Sequence, residues 1–193
     1  IHGELQISRI DLDGTQKWTF GAIQPYKIKL VNAEQYTLNS ADNIESYDVE
    51  YFQGDINGDR YYPTSKHGIR IFENDEEIRS AIVCETGGAT GIHEESALIN
   101  GNNLYLCCCD NVYCLSIPNL DLKWNKRLDP ATCFGIYSFK GDFIIHGELQ
   151  ISRIDLDGNQ KWTFGARDIF VTEDGSDSFK IKEDKIHLKD WMG

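Results

Sequence analysis

Three short stretches carry the polar side chains best placed for chemistry. They read Glu85-Thr86-Gly87-Gly88-Ala89-Thr90-Gly91-Ile92-His93, then Asp129-Pro130-Ala131-Thr132-Cys133-Phe134-Gly135, then Gly165-Ala166-Arg167-Asp168-Ile169-Phe170. Thr90, His93, Thr132, Arg167 and Asp168 supply two hydroxyls, an imidazole, a cation and a carboxylate. Gathered at one mouth, such a set binds a small polar ligand, because ligands bind where scaffold loops converge. The same residues also read as tight corners and solvated charges, with no ligand at all.

Other constellations are weaker. Gly87-Gly88-Ala89-Thr90-Gly91 is glycine-rich, but it lacks the Lys-Ser/Thr of a phosphate loop and opens no helix. His93-Glu94-Glu95 has Ala97 where a helical zinc motif needs a second histidine. Asp55-Ile56-Asn57-Gly58-Asp59 begins like a calcium loop, but Arg60 and Lys66 stand where glycine and a bidentate glutamate belong. It reads as a hairpin turn. There is no Gly-x-Ser-x-Gly, and no cysteine and histidine that spacing places together. Neither a metal nor a cofactor is expected.

Cys107, Cys108, Cys109 and Cys114 invite a metal or redox reading. In a strand, neighbours point to opposite faces, so three consecutive thiols cannot converge on one ion. With Asp110-Asn111 as a two-residue turn, Cys109 faces Val112, Cys107 faces Cys114 and Tyr105 faces Ser116. One face then carries Tyr105, Cys107, Cys109, Val112 and Cys114. The other carries Leu104, Leu106, Cys108, Tyr113, Leu115 and Ile117. Both faces are apolar, so this hairpin needs cover on both sides.

The elements that position these residues repeat. Ile1–Ala22 and Ile145–Ala166 are the same 22 residues except for Thr15 against Asn159. A looser repeat relates Ala97–Leu128 to Ile136–Phe164, with Trp124 and Trp162 38 residues apart, and a third unit runs from Asp168 to Trp191. Each reads as short strands joined by turns: Asn100-Gly101, Lys140-Gly141-Asp142, Asp157-Gly158 and, earlier, Asn57-Gly58. A period near 40 with four strands is a blade-like unit. No stretch shows a 3.6-residue period, so the fold class is all-β, built of antiparallel four-stranded repeats, as a partial or small β-propeller.

The segments VYCLSIPNLDLKW (112–124) and ISRIDLDGNQKWTF (151–164) resemble the repeat of quinoprotein-like (PQQ-like or WD40-like) β-propellers, in a bacterial style. The resemblance covers about 100 residues from Ala97 onward and concerns the structural repeat; such repeats serve enzymes and non-enzymatic scaffolds alike. It implies a single β-repeat domain over 1–193. Its parts are the copied strands 1–22, a strand-rich part 23–84, blades 85–128 and 129–166, and a partial blade 167–193. Within 23–84, YKIKLVN, QYTLNS, SYDVEYF, HGIRIF and EIRSAIVC read as strands. Both 22-residue copies encode outer strands. The first is thus poised to close a terminal blade, or to exchange onto a second chain as a homo-oligomer, unless it is an engineered repeat.

Composition narrows the partners. The net charge is -12, which disfavours nucleic acid and anionic membranes and suits a basic protein partner. No apolar run is long enough for a membrane span and no signal peptide is visible. Six cysteines, three of them consecutive, suit a reducing compartment, so the cytoplasm is expected. The leading expectation is a non-enzymatic protein-binding module, possibly of the toxin-neutralising immunity type. The alternative is a small-ligand sensor or enzyme that uses the Thr90/His93/Thr132/Arg167/Asp168 mouth.

Overall fold

The computed structural model describes residues 5–10, 16–23, 25–52, 62–165, 167–172 and 178–191. Every regular element among them is a strand, as the absence of a helical period predicts.

Two sheets are four-stranded antiparallel meanders. Strands β7 (Ala97–Asn100), β8 (Asn103–Cys108), β9 (Asn111–Ser116) and β10 (Leu122–Arg127) form one, here sheet B. Strands β11 (Cys133–Phe139), β12 (Asp142–Gly147), β13 (Gln150–Ile154) and β14 (Gln160–Gly165) form the next, sheet C. Before them, sheet A joins β1 (Leu5–Ile10), β2 (Gln16–Ile23), β3 (Tyr26–Asn32), β4 (Val49–Phe52), β5 (Ser65–Glu73) and β6 (Glu76–Glu85) in the order β1-β2-β3-β5-β6-β4. Its last pair, β4 with β6, is parallel. After them, sheet D is the hairpin β15 (Phe179–Lys182) and β16 (Lys185–Leu188).

The sheets pack face to face in chain order, with one core in each gap. Ile28, Leu30, Ile69 and Ile71 of sheet A meet Leu104, Leu106, Tyr113 and Leu115 of sheet B. On the other side of sheet B, Tyr105, Cys107, Val112 and Cys114 meet Ile136, Phe143, Ile145 and Ile154 of sheet C. Ile144 and Ile151, on the far side of sheet C, meet Phe179, Ile181, Ile186 and Leu188 of sheet D. A strand buried on both faces loses polar alternation, which is why β8 and β9 are apolar throughout.

The β8–β9 register differs from expectation. Cys107 faces Val112, Tyr105 faces Cys114 and Cys108 faces Asn111, so the turn is Cys109-Asp110 rather than Asp110-Asn111. Cys109 takes a left-handed φ of 51°. Contacts from the flanking loops impose it: the Cys109 N–H donates to Thr90 Oγ1 (3.0 Å), and its carbonyl accepts from the Cys133 N–H (2.6 Å). A two-residue shift preserves facing, so the expected partition of side chains between the two cores holds except for Cys109, which leaves the strand for the turn and sets its sulfur 3.3 Å from Thr64 Oγ1. The expected Cys107–Cys114 pair does not form.

QYTLNS (35–40) is not a strand. It makes turns that bring Tyr36 onto Ile82 and Cys84, covering the outer face of sheet A. YKIKLVN, HGIRIF and EIRSAIVC fall in β3, β5 and β6, and the end of SYDVEYF is β4. Lys140-Gly141 is a two-residue turn with φ of 52° and 80°, the left-handed pair that such a hairpin needs. Asp157-Gly158 lies in a longer loop, 155–159, which the Asp155 carboxylate closes by accepting from the N–H groups of Asp157 (3.0 Å) and Asn159 (2.8 Å). Residues 53–61, with the calcium-like stretch and the Asn57-Gly58 turn, lie outside the described residues.

The two copied segments each form a hairpin, closed by Ile10 opposite Gln16 and by Ile154 opposite Gln160. They sit differently. β13 is interior and β14 is an edge, whereas β2 is interior, paired with β3, and β1 is an edge.

Candidate functional site

The first two predicted loops meet directly, the Gly88 N–H donating to the Ala131 carbonyl (3.3 Å), and the third is linked to the second through Glu148 of the β12–β13 turn. Thr90 is tied to the start of β5: its N–H donates to Ser65 Oγ (2.8 Å), and that hydroxyl donates to the Thr90 carbonyl (2.9 Å). Thr132 is buried. Its N–H donates to Asp129 Oδ1 (2.9 Å), and its carbonyl accepts from the Glu148 N–H (2.8 Å). Glu148 in turn accepts from the Phe170 N–H (2.7 Å). Thr90 and Thr132 thus hold equivalent posts. Each receives the turn N–H between the second and third strands of the sheet that follows its loop.

Gly88 explains how closely the first two loops approach. A β-carbon there would fall 1.7 Å from Thr132 Oγ1, so only glycine fits. His93 is half-buried, with Nδ1 3.2 Å from Glu95 Oε2. Asp168 Oδ1 accepts from the Ile169 N–H (2.8 Å), and Arg167 is exposed. Among the described residues, no hydrogen bond or ion pair joins Arg167 or Asp168 to Thr90, His93 or Thr132. Of the five, Thr90 lines a cavity of about 280 Å³, with Asn32, Glu34, Thr64, Ser65 and Lys66 among its walls. Lys66 Nζ donates there to the Glu34 carbonyl (3.0 Å).

Two residues outside the five predicted for the mouth organise the loops. Asp129 is buried, and its carboxylate accepts four backbone N–H groups: Ala131 (2.7 Å), Thr132 (2.9 Å), Leu149 (2.9 Å) and Gln150 (2.9 Å). It pins the loop before sheet C to the β12–β13 turn. The signal was an aspartate before Pro-Ala-Thr, a turn-forming run. The second is Cys109. A hydrogen bond from Cys108 lowers its thiol to about 7, helped by Ser65 and Thr64 and opposed by burial. Its sulfur lies 3.3 Å from Thr64 Oγ1. Burial pushes the neighbouring Cys108 and Cys133 thiols well up.

Two histidines are buried behind these loops. Burial lowers both His67 and His146 to about 4, so each is neutral at pH 7. His67 Nε2 lies 3.1 Å from the Thr90 carbonyl, a hydrogen bond in which the nitrogen donates. Among the described residues its Nδ1 has no hydrogen-bond partner, which a neutral ring tolerates better than a charged one. Among the described residues, no three His, Cys, Asp or Glu side chains are grouped to hold a metal ion.

Exposed side chains concentrate elsewhere. Ile44 is 99% exposed. Beside it, Arg70 bridges Glu45 Oε2 (3.3 Å) and Glu77 Oε1 (2.6 Å), joining the 42–48 loop to the β5–β6 hairpin. That hairpin tip carries Asp75, Glu76 and Glu77 exposed, with Ile78 partly so. Arg70 thus offsets Glu45 and Glu77, and Lys27 lies 3.9 Å from Asp75. A second exposed apolar group, Trp162 and Phe164, lies on β14.

No family model matches the chain, and no curated protein matches it. Among solved structures, it is similar to the WD40 β-propeller domain of Doa1, at 15% identity and a TM-score of 0.39. The match covers 53% of this chain and spans about a third (34%) of that one.

Proposed function

We propose that the chain is a non-enzymatic protein-binding module whose acidic face receives a basic partner. The observation that carries this is the surface around Ile44. A fully exposed isoleucine beside Glu45, on a loop that Arg70 ties to the acidic β5–β6 tip, suits an interface with an apolar centre and a charged rim. The net charge of -12 adds long-range attraction for a basic protein. Neutralisation of a basic toxin, an immunity-type role, is one form this reading takes. The free, buried cysteines suit a reducing compartment such as the cytoplasm.

The loop residues favour the same reading. The N–H and hydroxyl of Thr90 and the N–H of Thr132 are already engaged within the protein, by Ser65, Cys109 and Asp129, which leaves few free groups for a substrate. The cavity beside Thr90 favours a second reading, a small-ligand sensor with Lys66 and Glu34 at its mouth.

Comparative capture from a lysate tests the first reading, using the unaltered chain and an Ile44→Asp/Glu76→Lys variant. Neither side chain is buried, so folding is spared. The expected result is a basic protein retained by the unaltered chain in low salt and lost to the variant. Identical captures by both proteins would overturn it. A rise in Tm with a small polar ligand, abolished in Lys66→Ala, would favour the sensor.

A further inference from the structure

Trp124 on β10 shows how one sheet is received by the next. Its ring lies over Gly158, where a β-carbon would meet it at 3.0–3.1 Å, and its Nε1 donates to the Leu156 carbonyl (3.3 Å). Leu156 and Gly158 belong to the loop between the third and fourth strands of sheet C. Trp162 holds the place of Trp124 one sheet on, and among the described residues sheet D supplies no third-to-fourth-strand loop for it to rest on. Among the described residues sheet D has two strands, and Trp162 and Phe164 stand 38% and 54% exposed.

The missing receiver exists elsewhere in the same sequence. Leu12 and Gly14 of the first copy correspond to Leu156 and Gly158 of the second. The strand edges agree as well. β13 pairs with β14 on one side and with β12 on the other. β1 has the same sequence as the matching part of the second copy; it pairs with β2, and no other strand among the described residues pairs with its other edge. β16 is the counterpart of β12, because each is the second strand of its sheet and follows a two-residue left-handed turn. Each also directs alternate residues onto the preceding sheet: Phe143 and Ile145 from β12, Ile186 and Leu188 from β16. Among the described residues, no strand pairs with the outer edge of β16.

We propose that β16 of one copy pairs with β1 of a second copy, so that the copied hairpin completes sheet D between chains. The β12–β13 pairing sets the register. Ile186 lies opposite Ile10, His187 opposite Arg9 and Leu188 opposite Ser8 of the second copy. The added hairpin then lies beside the face of sheet C that carries Trp162. Neither edge is paired among the described residues, so the contact forms with β2 still on β3. Each copy offers one donor and one acceptor edge, a head-to-tail contact that builds rings or open chains. This contact is separate from the acidic face around Ile44.

Disulfide trapping tests it. Directly opposed residues hold their β-carbons about 5 Å apart, within disulfide reach. Arg9→Cys and His187→Cys are made as separate proteins, mixed and mildly oxidised. The expected product is a reducible dimer formed in the mixture and by neither protein alone. Sedimentation of the unaltered chain should show mass rising with concentration. Trp162→Ala, which removes a partly exposed ring, should raise the half-association concentration about tenfold. Three outcomes overturn the proposal. One is an Arg9→Cys/His187→Cys double variant that forms only an intrachain bond, because the hairpin then closes on its own chain. Another is no disulfide, with a single monomer mass at every concentration. The last is a half-association concentration that Trp162→Ala leaves unchanged.

Discussion

The two copied hairpins are the same sequence in two structural roles. The copy at 145–166 presents its first strand to β12 and leaves its second at the edge. The copy at 1–22 presents its second strand to β3 and leaves its first at the edge. The pairing near the turn is the same, and the bulges differ. Lys161 is the extra residue in the second copy and Ser8 in the first, so Gln150 faces Gly165 while Gln6 faces Thr19. A strand pair with two usable edges takes its register from the neighbour it meets. Local propensity makes the hairpin; the flanking strand decides which edge is buried.

The largest difference between the copies should come from Asp129. It fastens Leu149 and Gln150 of the second copy through their N–H groups. Asp129→Ala leaves four N–H groups without their acceptor, so a loss of about 3–5 kcal/mol is expected in denaturant unfolding. A loss below about 1 kcal/mol would mean that water or another acceptor replaces the carboxylate, and that β12 alone seats the second copy.

Acid should separate the copies next, through His146. Its counterpart His2 lies outside the described residues. His146 is lowered by burial to about 4 from 6.5, with Asp129, His93 and Glu95 around it. His67, also near His93, is lowered in the same way. In both cases the unfolded chain takes the proton first. Stability is therefore full above pH 6.5, falls as the pH drops, and levels off near pH 4. Each ring contributes about 3 kcal/mol to that fall. Glu85, whose carboxyl is raised by burial, acts in the opposite sense. His146→Phe should remove about half of the acid loss in a Tm-against-pH series. An unchanged slope would place the acid sensitivity elsewhere.

Parity and period were readable in the residues, and contacts between loops were not. The faces of β8 and β9 followed from alternation alone, because a shift of two residues leaves facing intact. The turn itself moved to Cys109-Asp110, since Thr90 and Cys133 grip Cys109 from loops 19 and 24 residues away. The equivalence of Thr90 and Thr132 was visible in two Ala-Thr corners, and their engagement with backbone was not. QYTLNS had a strand-like composition, but Tyr36 finds its burial on Ile82 by turning. Ile44 gave no signal at all, because exposure is a property of what fails to cover a residue.

Backbone exchange should grade the same comparison more finely. β13 is flanked on both sides, so amides of Ile151 and Ile154 should exchange only on global opening. Among the described residues β1 is paired on one side, and its outward amides should exchange at least about tenfold faster. Equal protection in a dilute sample would mean that the β1 edge is covered.

The smallest effect should come from the one residue that differs. Asn159 stands where the first copy has Thr15, and its Nδ2 donates to Asp155 Oδ2 (3.1 Å) at an exposed loop. Asn159→Thr makes the second copy identical to the first. The exposed bond is worth about 0.5 kcal/mol or less, because water competes for both groups. The Asp155 carboxylate keeps its bonds to the N–H groups of Asp157 and residue 159, so the loop should close as before. If context sets the role of each hairpin, β13 remains interior and Tm changes by no more than about 2 °C. If the single side chain sets it, the variant loses the β12–β13 pairing, and exchange at Ile151 and Ile154 rises to the level of β1.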